Sequence, residues 1–414
     1  MTGLSRRLFL ASMPAAGLLG ACMTPDIRGA TTKGAPLLLV DGPAMSRVPA
    51  AGFVVWDGKR IVASQTAGVA SGLSADEVSA GVEPRAFNID TPFRTASISK
   101  TAVALTALAL ETKSQLNLDA PITDALPQLA GVADDVTLRH LFAHVSGLED
   151  PEHYWLAHPG DLMPLMIEAF RACRREAGDY FQYCNFGYGI AATVIEAATR
   201  TRFDRLAETH VLQPLHLDAG FNWSGVSREK RMAGATLYRE TPAGWQIQTD
   251  GPDTLNATAP AILIEEGASL DTYTPGQNGT LFSPQGGLRI SLLGLARMIH
   301  TLGSHSELNR PVWTLNADAS NGIHDLGYFT SFGTGVHIHP AADSLWPGYE
   351  LIGHHGEAYG LYAGAWHALQ TGLSFAYAVT GTPDRPPQRS SIHPALNEWT
   401  APLVAAAFRE AGLA

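Results

Sequence analysis

The sequence predicts an α/β fold of the α+β kind. One antiparallel sheet is assembled from both chain termini and flanked by helices, and a mainly helical domain is inserted between its two halves. Three observations carry this. Strand-like runs occur near the start of the chain and again after about residue 325. The run 98–113 is rich in Ala, Leu and Val without Gly or Pro, and 152–300 is dominated by helical patterns.

Val48 to Gln65 reads as a hairpin, with Gly52–Trp56 as strand, Asp57-Gly58 as turn and Arg60–Ala63 as return. Residues 66–90 read as loop, punctuated by Gly68, Gly72, Gly81 and Pro84. Ile98 to Lys113 is a buried helix, since it outruns the usual length of a strand. Asn117 to Pro121 stops it. Ile122–Leu129 and Thr137–His144 are short helices, and Leu162–Arg175, Tyr188–Thr201, Phe203–Val211 and Leu292–His300 are longer ones. The stretch 223–285, rich in Gly, Thr and Pro, reads as surface loops. Thr334–His339, Tyr362–Ala368 and Leu373–Val379 are strands, and 392–411 is a closing helix. The sheet domain therefore takes 45–100 and 325–414, and the helical domain 101–324.

A chain of 414 residues can bury a large core. Its net charge of −11, with no basic block, excludes a nucleic-acid partner, because phosphate binding needs a cationic surface.

Residues 1–21 read as a signal peptide. Arg6-Arg7 precedes an apolar run from Leu8 to Ala21 that is too short to span a bilayer. The pair followed by Leu8-Phe9-Leu10 resembles the twin-arginine export signal. Leu19-Gly20-Ala21-Cys22 resembles a lipoprotein cleavage box, with 22–44 as linker. The expectation is an exported protein on the periplasmic face of a bacterial membrane, held by lipid chains on Cys22. Met23 in place of Asp favours the outer membrane. An ordinary secretory signal and a soluble periplasmic protein are the alternative.

Ser97 and Lys100 lie three residues apart at a helix start, on one face. Free N–H groups and the helix dipole favour an oxyanion there and disfavour the Lys100 ammonium. Burial lowers the lysine pKa further, so a neutral Lys100 would take the Ser97 Oγ proton. Tyr183-Cys184-Asn185 offers a phenol for proton relay and an amide to hold Lys100 and substrate. Taken alone, a turn serves that tripeptide equally well. Gly353-His354-His355-Gly356-Glu357 reads either as a His-rich loop or as an edge strand closing the site. In the second case the N–H groups of Ser97 and Glu357 form an oxyanion hole, where each donor is worth ~3–4 kcal/mol.

These three elements together resemble the serine β-lactamase and penicillin-binding protein superfamily, nearest to its class C branch with esterases and D-amino-acid peptidases. Leu138 to Leu148, containing His144-Val145-Ser146-Gly147-Leu148, and Gly286-Gly287-Leu288 extend the likeness over about 45–410. The resemblance implies a β-lactamase/transpeptidase-like fold, with Ser97 as acylated nucleophile, Lys100 as its proton acceptor and Tyr183 as general base. It makes Asn185 the orienting amide, His354 and Gly356 the substrate-binding strand, and His144 a structural residue. His354 stands where β-lactamases of this class carry a lysine, and so supplies a weaker anchor for a carboxylate. Ester or D-amino-acid amide and peptide substrates follow. A β-lactamase or D-Ala-D-Ala carboxypeptidase is the first alternative, and a non-catalytic cell-envelope binding protein of the same fold the second.

The remaining cysteines, Cys173 and Cys184, could pair in an oxidising compartment, although the motif around Cys184 favours a packing role. His337-Ile338-His339 would share one strand face, with His354 and His355 near in sequence, as in a zinc site. No Cys cluster or His-Glu-x-x-His pattern supports it, and the expectation is no metal and no organic cofactor.

Overall fold

Phe53, Val54 and Val55 on strand β1 (Ala50–Trp56) point alternately into two different cores, as a strand's period of two requires. The computed structural model describes residues 48–154, 162–173, 175–221, 223–248, 273–383 and 387–413. The expected signal peptide, Cys22 and linker lie outside the described residues.

β1 pairs with β2 (Ile61–Ser71) across a turn in which the Asp57 carboxylate accepts the N–H groups of Lys59 and Arg60. β2 runs further than the expected loop at 66 allows. Gly68 is a strand residue facing Ala50, and a Cβ there would meet the Pro49 carbonyl at 2.0 Å. The glycine serves a close backbone approach, not a break. Helix α1 (Ala75–Ser79), capped by Ser74 and Glu77, and strand β3 (Arg85–Ala86) also lie in the segment expected to be loop.

Strand β4 (Phe93–Arg94) leads through a 3₁₀ turn at Ala96–Ile98 into helix α2 (Ser99–Thr112). Residues Ser99 to Leu108 of α2 are all buried, which its apolar composition on every side demands. The helices α3 (Leu138–Phe142), α4 (Leu162–Ala172), α5 (Phe186–Thr199) and α6 (Phe203–Ala207) follow, with α5 and α6 packed on α2. The stretch expected as surface loops holds more structure than that: helix α7 (Arg228–Met232) and a hairpin of β6 (Tyr238–Thr241) and β7 (Gly244–Ile247). Its residues 249–272 lie outside the described residues.

A small sheet joins β4, β8 (Leu288–Ile290) and β5 (Gly220–Phe221), with β8 in the middle. Next come α8 (Leu292–His300), α9 (Ser306–Asn309), β9 (Trp313–Thr314), β10 (Ser331–Phe332), β11 (His337–His339), β12 (Leu351–Ala358), β13 (Leu361–Ala368), β14 (Ser374–Thr380) and α10 (Thr400–Glu410). The main sheet has the order β3-β2-β1-β14-β13-β12-β11-β10-β9 among the described residues. The pairing of β1 with β14 joins the two ends of the chain, as expected. Helix α8 packs on β1, β13 and β14, and α10 packs on β1 and β14 from the core on the other side. Both α8 and β9 fall inside 101–324 yet belong to the sheet layer.

Strand β12 is an edge over only half its length. Leu351 to Gly353 pair with β11, whereas His354 to Ala358 have only β13 as strand partner among the described residues. That free half faces the 3₁₀ turn carrying Ser97.

Candidate active site

The nucleophile turn is tied to the Gly-Gly-Leu segment. Thr95 N–H donates to the Leu288 carbonyl at 3.0 Å, and Leu288 N–H donates to Ser99 Oγ at 2.9 Å. Ser99 Oγ in turn donates to the Ala96 carbonyl at 2.6 Å. These bonds hold Ala96 at φ +50, a region that residues with a Cβ seldom adopt. Ser97 directly follows it, half-buried at the entrance to α2.

Lys100 is fully buried, and its Nζ lies 3.0 Å from Ser97 Oγ, 2.8 Å from Asn185 Oδ1 and 3.0 Å from the Gln285 carbonyl. Burial lowers its pKa to about 7, against the opposing pull of Asp150 and Cys184. A neutral amine has two hydrogens and one lone pair. The two carbonyl oxygens can only accept, so they take the two hydrogens and leave the lone pair for the Ser97 hydroxyl. The ammonium form instead donates to all three oxygens, Ser97 Oγ included, so the contact with Ser97 reverses direction when Lys100 loses a proton.

Asn185 stands at the start of α5 and is fixed from behind by Asp150. Its Nδ2 donates to Asp150 Oδ2 at 2.9 Å. Asp150 Oδ1 accepts Phe186 N–H at 2.7 Å and the Cys184 thiol at 3.3 Å. Asp150 has no place in the sequence reading, because its role depends on a contact across the fold. Cys184 is buried and free, as is half-buried Cys173, so the possible disulfide is not formed.

Tyr183 lies beside Lys100, whose Nζ sits 4.8 Å from the ring centroid. Its ring stacks on His144 at 4.2 Å and on Phe329 at 5.2 Å. His144 Nδ1 accepts Cys184 N–H at 3.0 Å, and its carbonyl accepts Gln182 N–H at 2.9 Å. Burial first, then Lys100 and His354, push its pKa well down. A neutral, buried His144 therefore clamps the Tyr183 segment, which accounts for the His-x-Ser-Gly-Leu stretch structurally.

Along β12, Tyr359 and Gly360 form the two-residue turn to β13, both with positive φ. In such a hairpin the flanking pair, Ala358 and Leu361, exchanges hydrogen bonds across the ladder. Alternation then turns the N–H of Glu357 away from β13, toward the open edge and the Ser97 turn. That direction suits the expected oxyanion donor. The Glu357 side chain is exposed and opposite Tyr362 in register, to which its carboxylate is hydrogen-bonded. Gly356 is needed for closeness: a Cβ there would come 2.4 Å from the Thr95 carbonyl. His354 is 1% exposed, its ring 6.4 Å from that of Tyr183, with Nδ1 2.6 Å from the His355 carbonyl. Burial and Lys100 lower its pKa to about 3, so no cation stands at this point of the strand.

A family model described as Beta-lactamase matches residues 38–395. The chain belongs to the beta-lactamase family. Among curated relatives it is 44% identical to esterase EstB of Burkholderia gladioli over 72 residues, 16% of this chain and 17% of that protein. To penicillin-binding protein 4* of Bacillus subtilis (strain 168) it is 28% identical over 152 residues, 35% of this chain and 32% of that protein. The chain's matches span 17% to 32% of these curated relatives' length. Among solved structures, the D-amino acid amidase from Ochrobactrum anthropi SV3 aligns with a TM-score of 0.62 at 17% identity, covering 88% of this chain and 94% of that one. The penicillin-binding protein homologue from Pyrococcus abyssi aligns with a TM-score of 0.61 at 18% identity, covering 88% and 74%. The sheet from both termini with its helical insert is therefore the fold of this beta-lactamase family.

Proposed function

We propose that the protein is a serine hydrolase acting through an acyl-enzyme on Ser97, with an ester or a D-amino-acid amide or peptide as substrate. One observation carries the reading: buried Lys100 lies between Ser97 Oγ and the Asn185 and Gln285 oxygens, arranged to receive a proton. Ser97 Oγ attacks the substrate carbonyl carbon as its proton passes to Lys100. The oxyanion is met by the N–H groups of Ser97 and Glu357. The carbonyl-to-leaving-group bond then breaks, and the leaving group takes a proton relayed through Tyr183. Water attacks the ester so formed by the reverse route, releasing the acid and restoring Ser97.

Substrate class follows from what the strand lacks. A lysine ammonium beside the free edge would hold a substrate carboxylate, whereas His354 turns its Nδ1 to its own strand. Substrates without a carboxylate to anchor, such as esters and D-amino-acid amides, fit better than β-lactams, whose carboxylate such a lysine would hold. Likeness to an esterase and to D-amino acid amidases supports this choice. The export signal read at 1–21 and Cys22 supports a lipid-anchored enzyme of the cell envelope.

The test uses the chain starting after Cys22 and its Ser97→Ala variant. Each is offered p-nitrophenyl esters, D-alanyl amides and peptides, and a chromogenic cephalosporin. Ester or amide turnover with a Ser97 adduct by mass spectrometry, both lost in Ser97→Ala, is expected. Turnover surviving in the variant would overturn the mechanism. No turnover and no adduct would favour a binding protein.

A further inference from the structure

Behind the free edge of β12, on the sheet face of the second core, three imidazoles converge. His337 and His339 are two apart on β11 and share a face. His355 lies two residues beyond Gly353, the register partner of His337, and falls on that same face. One ring nitrogen from each lies within 4.8 Å of the others. All three side chains are buried, and Trp366 closes the space, 4.9 Å from the His339 ring and 4.5 Å from that of His355.

Packing alone does not explain three histidines here. His337 Nε2, His339 Nδ1 and Nε2, and His355 Nε2 are buried with no hydrogen-bond partner among the described residues. A buried polar atom in that condition is costly, and phenylalanine would fill the space without the cost. Burial holds all three rings neutral, leaving lone pairs free to donate to a metal.

We propose that His337, His339 and His355 form a binding site for a divalent transition metal ion of the zinc type. A set of neutral imidazoles without thiolate or carboxylate suits zinc, copper, nickel or cobalt and not magnesium or calcium. Zinc-to-nitrogen bonds of about 2.0–2.1 Å place tetrahedral ligand atoms about 3.4 Å apart. Ring rotations that close the widest separation by about 1.4 Å meet this. Tyr377 Oη lies 3.5 Å from His355 Nδ1, which orients that ring so that Nε2 is the ligand atom. His393 packs edge-on to His339 at 4.8 Å, and its Nε2 is 3.4 Å from Asp343 Oδ1, a carboxylate near enough to offset part of the ion's charge. Arg389 opposes it from the His355 side. The fourth position is left to water. The ion would pin β11 to β12 two residues from Glu357. His355, not His354, completes the pair read in the sequence, because neighbouring strand residues face opposite ways.

The test strips the protein with chelator and titrates zinc and then cobalt. One ion per chain is expected, with the strong visible bands of tetrahedral cobalt and no thiolate charge transfer. The Tm should rise by a few degrees once free zinc is about 100-fold above Kd. His339→Leu removes a ligand together with two unpartnered nitrogens. It should keep or raise the metal-free Tm and abolish the zinc response, and His355→Leu should abolish it as well. Absence of binding by the unsubstituted protein, or a zinc response intact in either variant, overturns the proposal. Should a variant not fold, the cobalt spectrum of the unsubstituted protein decides by itself, weak octahedral bands or none counting against the site.

Discussion

The Asp150 carboxylate accepts the Asn185 side-chain amide at 2.9 Å, and the same amide's oxygen accepts Lys100 at 2.8 Å. Asp150 thus positions a residue that touches Lys100, the proposed proton acceptor, without itself touching Ser97. Its charge also raises the Lys100 pKa against burial. Asp150→Asn should have two separable effects. Loss of the fixed amide should lower kcat by about 10-fold to 100-fold, or about 1.4–2.7 kcal/mol. Loss of the charge should move the Lys100 titration to lower pH. A pH profile of kcat/KM measures both, and a fall in rate with no movement of the limb would contradict the electrostatic half.

Lys100 itself sets the shape of that profile. Its folded-state pKa is about 7, lowered by burial from 10.5. Below that value the ammonium has no lone pair, and above it the neutral amine is free to take the Ser97 proton as proposed. Ester hydrolysis should therefore rise with pH through about 7 and then level off. Lys100→Arg replaces the base with a permanent cation and should lose about 10²- to 10⁴-fold at every pH.

Gly356 tests how closely β12 must approach the nucleophile. A Cβ there would meet the Thr95 carbonyl at 2.4 Å and Ile98 Cγ1 at 3.3 Å. Backbone cannot yield as a side-chain end can, so Gly356→Ala should push the strand outward. Overpacking of this kind costs about 1–3 kcal/mol. A displacement of about 1 Å at the Glu357 N–H, the proposed oxyanion donor, costs about 100-fold in rate. Activity should suffer far more than Tm, as calorimetry and single-turnover rates on the same preparation will show.

Much of this was legible because the signals are local. The Ser97–Lys100 spacing, the apolar run behind it and the Asp57-Gly58 hairpin each depend on a few adjacent residues, and each has its counterpart in the fold. Asp150 was not, since Glu149-Asp150-Pro151 looks like any exposed turn until α5 brings Asn185 to it. Gly68 misled because a glycine inside a strand and one that breaks it are alike in sequence. The direction of the Glu357 N–H depends on ladder parity counted from the Tyr359-Gly360 turn, which composition does not encode. Ser74-Ala75-Asp76-Glu77 is different. It carries a capping-box signature, a local signal of a helix start that the surrounding glycines and Pro84 mask.

That cap supports the last prediction. Glu77 is only 3% exposed. Its Oε2 accepts Leu73 N–H and Ser74 N–H at 3.1 Å, Ser74 Oγ at 3.0 Å and Tyr238 Oη at 2.7 Å. Its Oε1 accepts Thr236 Oγ1 at 3.0 Å. Burial alone would raise the carboxyl pKa, but these donors outweigh it and the folded value lies below the usual 4.5. A carboxylate depressed on folding contributes stability above its unfolded pKa and loses it as pH falls through the folded one. The protein should therefore weaken on acidification below about pH 4.5. Glu77→Gln presents an N–H₂ where an acceptor is required, so it should cost about 2–3 kcal/mol at pH 7. The same variant should flatten this part of the acid response. The Glu77 carboxylate bonds to Leu73, Ser74, Thr236 and Tyr238 and, among the described residues, to none of Ser97, Lys100, Tyr183 or Asn185, so kcat should hold while Tm drops. Equal losses in both would mean that this cap reaches the active site after all.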